Sequence, residues 1–162
     1  MPSAGVESAH TAFAEAVRAS GLRVTAPRLA VMLALRSQPH SDTDTVIRLV
    51  RQDLGSVSAQ AVYNVLAALV GVGLVRRIEP AGSVARYEVR VGDNHHHIVC
   101  RGCGATTDVD CAVGKRPCLT PSDTSGYLLD EAEVTFWGLC PRCQTGAGAP
   151  GPNRWRSRKT NK

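Results

Sequence analysis

Two Cys-x-x-Cys pairs, Cys100-Arg-Gly-Cys103 and Cys140-Pro-Arg-Cys143, constrain this chain more than any other feature. Two intervening residues let both sulfurs of a pair reach one ion while turn N–H groups point at them. Gly102 and Gly104 ease the first turn, and Pro141 pre-bends the second. Two such pairs supply four thiolates, a closed tetrahedral set suited to Zn2+. No position remains for water, so this zinc is expected to be structural. The 36 residues between the pairs exceed the usual ribbon spacing, so the intervening loop is expected to carry its own strands. The competing readings are two independent redox dithiols or ordinary core cysteines. Cys111 and Cys118 fall outside the pattern and read as plain thiols, with a thiol switch between them as the lesser alternative.

Reduced thiols belong in the cytoplasm, and the rest of the chain agrees with that expectation. No run approaches the ~20 apolar residues of a membrane span. The N-terminus "MPSAGVESAHTAFAEA" lacks the basic start and apolar core of a secretion signal. Charge is divided unevenly. Residues 1–90 carry +3, residues 91–145 carry −3, and "GAGAPGPNRWRSRKTNK" at the end carries +5. A basic front and tail look toward a polyanion, and an acidic back toward something else.

Ahead of the first pair, the apolar spacing predicts helices over 8–20, from a Thr25 cap and Pro27 onward with Leu29, Met32, Leu33 and Leu35 as its apolar stripe, from a Ser41 or Asp42 cap to Gly55, and over 58–70 with Ser58 as cap. Then the period changes to that of strands, "LVRRIE" and "ARYEVR", with "PAGS" as the turn. Helices followed by such a hairpin read as a winged helix-turn-helix. Beyond residue 90, "HHHIVC", "ATTDVD", "GYLLDEAE" and "VTFWGLC" read as short strands. The fold class is therefore α+β. The divisions are expected at 1–89, a winged helix, at 90–145, a metal-binding region of short strands, and at 146–162, a disordered basic tail.

Side chains alternate along a strand, so His95 and His97 share a face and His96 points away. Two imidazoles at i and i+2 form a chelating pair. Glu88, Asp108 and His40 complete a candidate set of three nitrogens and two carboxylates, suited to Fe2+, Mn2+ or Zn2+. A polar strand facing solvent explains the "HHH" run equally well, and the residues alone leave both readings open.

Several stretches, "GLRVTAPRLAV", "AVYNVLAALVGVGLVRRI", "ARYEV", "DNHHHIVCRGCG" and "WGLCPRC", resemble the Fur family of metal-dependent repressors over roughly residues 15–145. Within the family, the likeness is strongest to actinobacterial, peroxide-responsive members encoded beside catalase-peroxidase. The resemblance implies an N-terminal winged helix that binds DNA at 1–89, a C-terminal α/β metal-binding dimerisation domain at 90–145, and a structural zinc on Cys100, Cys103, Cys140 and Cys143. It implies a regulatory Fe2+, Mn2+ or Zn2+ on His40, Glu88, His95, His97 and Asp108, with His40 or His95 as the target of peroxide. The implied partners are double-stranded operator DNA and a second copy of the chain, with no membrane and no small-molecule substrate.

Ser58, Gln60, Tyr63 and Asn64 lie toward the outward, N-terminal side of the helix over 58–70, where a recognition helix meets base edges. Many members carry Arg where this chain has Asn64. Arg23 and Arg28 are the expected phosphate contacts, with Arg76, Arg77 and Arg86 on or near the wing as further ones; a solvated surface charge is the competing reading for each. An iron-sufficiency repressor is the alternative within the family, for which Glu88 is the better ligand, and a zinc-responsive branch is a third. A small metalloenzyme is the reading from a different class, and a zinc-stabilised interaction module another.

Overall fold

The apolar spacing of the front half produces four helices in the computed structural model, which describes residues 4–79, 83–89, 95–111, 119–129 and 132–146. Helix α1 (Ala4–Ala19) stops before Gly21, whose φ of 79° lies in the left-handed region. Helix α2 (Ala26–Ser37) carries Pro27 in its first turn, where a missing N–H breaks no helical bond. Thr25 stands at its N-cap as expected, yet its hydroxyl makes no capping bond. Of the two caps expected for α3 (Thr43–Leu54), Asp42 is used: its carboxylate accepts the Thr45 N–H at 2.8 Å. Ser58 caps α4 (Ala59–Gly71) by accepting from Ala61 N–H at 3.1 Å.

Each helix turns its apolar stripe inward. Val17 of α1, Leu29, Val31 and Leu35 of α2, Val46 and Val50 of α3, and Val62, Leu66 and Leu69 of α4 form one core. Burying such a side chain contributes roughly 1.5–3 kcal/mol. Helix α2 packs against the other three, so it is the centre of the bundle. Of its expected stripe, Leu33 stays half-buried, while Val31 and Ala34 go inside instead.

The hairpin forms as strands β2 (Arg76–Ile78) and β3 (Arg86–Glu88), antiparallel, with Arg76 opposite Glu88. A third strand, β1 (Ser41–Asp42), pairs with the free edge of β3, putting Ser41 opposite Tyr87 and Asp42 opposite Arg86. Two residues are too short for alternation to show, so Ser41 and Asp42 read from the sequence only as candidate helix caps. Its pairing matters because it fixes His40 immediately beside the sheet.

A second three-stranded sheet has β4 (His95–Cys100) at its centre, β5 (Thr106–Asp110) antiparallel on one side and β6 (Thr135–Gly138) parallel on the other. A single helical turn, α5 (Pro141–Gln144), follows. The strand expected in "GYLLDEAE" does not form over residues 126–129. Ser125 and Gly126, both at positive φ, turn the chain there, and Leu128 is left 98% exposed. Cys118 and the tail from residue 147 lie outside the described residues. The described chain divides into two compact units, the first comprising residues 4–79 and 84–89 and the second starting at residue 95. Among the described residues, no single helix is long and apolar enough to cross a membrane.

Candidate metal centres and recognition helix

The parallel pairing of β4 with β6 sets Cys100 opposite Gly138, two residues before Cys140. Both Cys-x-x-Cys pairs therefore come to the same end of the sheet. The sulfurs of Cys100, Cys103, Cys140 and Cys143 all lie within 4.8 Å of one another. Cys103 Sγ and Cys140 Sγ are 3.8 Å apart. Bonds of about 2.3 Å to a central zinc give a tetrahedron with an edge of about 3.8 Å. The spacing is therefore that of four ligands around one ion.

The surroundings suit thiolates. Cys100 Sγ accepts the N–H of Gly102 at 3.3 Å and of Cys140 at 3.2 Å. Burial pushes the Cys100 thiol up, but the N–H groups of Cys140, Cys103 and Gly102 outweigh it and bring it from 9.0 to about 6. Cys143 moves the other way: burial and the crowding side chains of Cys140, Cys103 and Cys100 push it up to about 12. Four like charges at this spacing repel, and a dication among them is what lets every thiol lose its proton. Gly102 leaves the space this requires, since a Cβ there would stand 2.8 Å from Cys143 Sγ. Arg101 also braces the first pair to β6, its guanidinium lying 4.8 Å from the Trp137 ring centroid. The donor set, spacing and cradle fit Zn2+, and this site needs nothing from outside its own unit.

The five candidate ligands of the second kind fall into two groups. In the first unit, His40 Nε2 lies 3.0 Å from Glu88 Oε2, and Glu88 is 1% exposed. In the second unit, Asp108 Oδ1 lies 3.5 Å from His97 Nε2 and 3.8 Å from His95 Nε2. The two rings stand edge to face with centroids 5.0 Å apart. Strand geometry explains this group: His97 is directly opposite Asp108 on β5, so their side chains share a face, and His95 lies two residues away on that face. His96 projects from the other face and is itself buried.

Ionisable groups this deeply buried are rare unless paired or holding a metal. Imidazole and carboxylate are the ligands that Fe2+, Mn2+ and Zn2+ accept. Asp110, exposed, stands directly opposite His95.

On α4 the exposed stripe is Gln60, Tyr63, Asn64, Ala67 and Gly71, at helical spacing and without a charge. Gln60 Nε2 donates to Asn64 Oδ1 at 2.9 Å, so the two amides act as one unit. Ser58 is already engaged as the cap.

The candidate phosphate contacts are scattered. Arg23 is exposed, and Arg28 donates to the Arg23 carbonyl at the entry to α2. On β2, Arg77 is half-exposed and paired with Glu79 at 2.7 Å, and Arg76 is half-buried. Arg86 points inward to the His40 carbonyl at 2.9 Å. An unforeseen contact ties Arg51 Nε to the Val57 carbonyl at 2.9 Å, bracing the turn between α3 and α4.

Comparison with known proteins agrees with this architecture. Residues 19–127 match the ferric uptake regulator family. The chain is 64% identical over 131 residues to the transcriptional regulator FurA of Mycobacterium tuberculosis, covering 81% of this chain and 89% of that one. It is 61% identical over 125 residues to ferric uptake regulation protein 1 of Mycolicibacterium fortuitum, covering 77% and 78% of the two. A solved structure of the ferric uptake regulator from Pseudomonas aeruginosa with manganese is 26% identical and superposes with a TM-score of 0.64, over 80% of this chain and 98% of that one.

Proposed function

This chain belongs to the ferric uptake regulator family, and from that membership we propose a repressor that grips operator DNA as a homodimer and lets go when peroxide meets a regulatory Fe2+. The coarser statement stands on the family itself: the protein is a metal-dependent transcriptional regulator, and its relatives are named regulators, not enzymes. The finer reading assigns residues 1–89 to DNA binding, 90–145 to metal binding and dimerisation, and the basic tail from 146 to salt-dependent, sequence-independent attraction. Control of catalase-peroxidase genes in the cytoplasm belongs to the same proposal.

One observation carries the reading: each unit holds a set of metal-type ligands, buried His40 with buried Glu88 in one and buried His95 and His97 beside a half-buried Asp108 in the other. We propose that one ion takes ligands from both sets and so favours a closed dimer whose α4 helices suit half-sites about one helical turn apart. A coupling of about 1–3 kcal/mol between metal and operator changes DNA affinity about 5–150-fold. Bound iron supplies the one-electron chemistry that turns peroxide into a local oxidant, with His40 or His95 as the proposed target. Gln60, Tyr63 and Asn64 are proposed to read bases, and Arg23, Arg28, Arg76 and Arg77 to hold phosphates. Ile98, Phe136 and Leu139, apolar and exposed in the second unit, favour a face covered by a second copy.

The test is operator binding with Fe2+, Mn2+ and Zn2+, each with and without peroxide. The peroxide reading expects loss of binding in the iron form alone, with added oxygen on the His40 or His95 peptide. Release on chelation but not on peroxide gives the iron-responsive alternative, which the relatives' ferric uptake names and Glu88 favour. Sequence-independent binding in every metal state overturns both.

A further inference from the structure

We propose that Arg86 is a positioning residue: it locks His40 into a left-handed backbone conformation so that the imidazole is presented ready to bind, and it ties that presentation to the start of α3. The proposal rests on His40 being a regulatory-metal ligand and adds how it is held and what moves with it. His40 has φ 57°, a conformation that costs any residue with a Cβ. Among the described residues the other non-glycine case is Ser125, exposed and supported by the Asp123 carboxylate on its own N–H. His40 is buried, so its strain must be held by what surrounds it.

Strand β3 supplies the hold through two residues on one face. Arg86 donates from a guanidinium nitrogen to the His40 carbonyl at 2.9 Å. Glu88, two residues on, takes the His40 ring at 3.0 Å. One strand therefore grips backbone and side chain of the same residue. The next two residues form β1, paired with β3, and Ser41 Oγ donates to the Gln38 carbonyl at 2.7 Å. Asp42 then caps α3 through the Thr45 N–H at 2.8 Å. From the far end of α3, Arg51 reaches the Val57 carbonyl just before the Ser58 cap of α4. A shift at His40 has a short, continuous route through β1 and α3 to the reading helix. Spent inward, Arg86 is poorly placed for the phosphate role that its wing position first implied.

The experiment uses the full-length, zinc-loaded protein and Mn2+ as probe, titrated by electron paramagnetic resonance. Arg86→Met removes the donor and keeps the length of the side chain. Groups that orient ligands are worth about 10–100-fold in metal affinity, so that is the expected loss. Arg86→Lys, which keeps a donor on a long stem, should recover a large part of it. Zinc content should remain that of the parent in both. If Arg86→Met does not fold, Arg86→Gln, whose amide is too short to reach, should show the same loss. Unchanged Mn2+ affinity with a lowered melting temperature makes Arg86 merely structural and overturns the proposal. Weaker operator binding at full Mn2+ occupancy, with Mn2+ affinity intact, makes it a phosphate contact and overturns it too. His40→Ala separates the layers: if it leaves Mn2+ affinity intact, the ligand assignment itself fails, and the Arg86 proposal with it.

Discussion

Replacing Gly102 by alanine tests the structural zinc through a single methyl group. Gly102 lies outside the left-handed region, so alanine meets no backbone penalty there. Its Cβ would lie 2.8 Å from Cys143 Sγ, 3.0 Å from Cys143 Cβ and 3.4 Å from Leu139 Cδ2. Comfortable carbon contacts begin at about 3.5 Å, so the sulfur must retreat by about 0.7 Å or more. A zinc ligand tolerates about 0.2 Å. Overpacking of this kind costs about 1–3 kcal/mol. At 1.4 kcal/mol per tenfold, zinc affinity falls about 5–150-fold. Competition with a chromophoric chelator measures it directly. Gly138→Ala is the control, because a Cβ there meets nothing within 4 Å. Equal zinc affinity in Gly102→Ala and the parent, or an equal loss in Gly138→Ala, refutes the four-sulfur site as built here.

Further consequences follow from the first unit. Gln60→Ala and Asn64→Ala should each relax preference for A·T at one position by about 1–3 kcal/mol, read by selection from randomised duplexes. Because the two amides are bonded, the double variant should cost less than the sum of the singles. Asp42→Ala should destabilise the unit by about 1 kcal/mol in urea melts at pH 7. Burial raises the Asp42 carboxyl, but Thr45, Arg86 and Arg48 outweigh it and hold it below 3.8. With the folded pKa depressed, its contribution is present above that value and lost as pH falls through the folded pKa; a parent–variant difference that grows on acidification contradicts this. Leu66→Ala, at 1% exposure, should cost about 2–5 kcal/mol by the same melts.

Features that depend on neighbours in the chain were readable in advance. The Cys-x-x-Cys pairs, the Ser58 and Asp42 caps, the Pro27 helix start and the alternation that separates His96 from His95 and His97 all act within a few residues. The Gln60–Asn64 bond is also local, at i and i+4, and shows how two residues each assigned to base reading engage each other first. Strand β1 escaped notice because two residues carry no period.

What spacing alone determined was the chemistry on offer: four thiols in two pairs, two histidines on one strand face and an uncharged helix over 58–70. Tertiary structure decided which of these groups meet. The parallel register of β4 and β6 brings together cysteines 37 positions apart, and β3 reaches His40 across 46. Propensity acts over one turn or one pleat, whereas these meetings depend on which strand lies beside which. That choice is made by burying the whole apolar surface at once, and no short stretch encodes it.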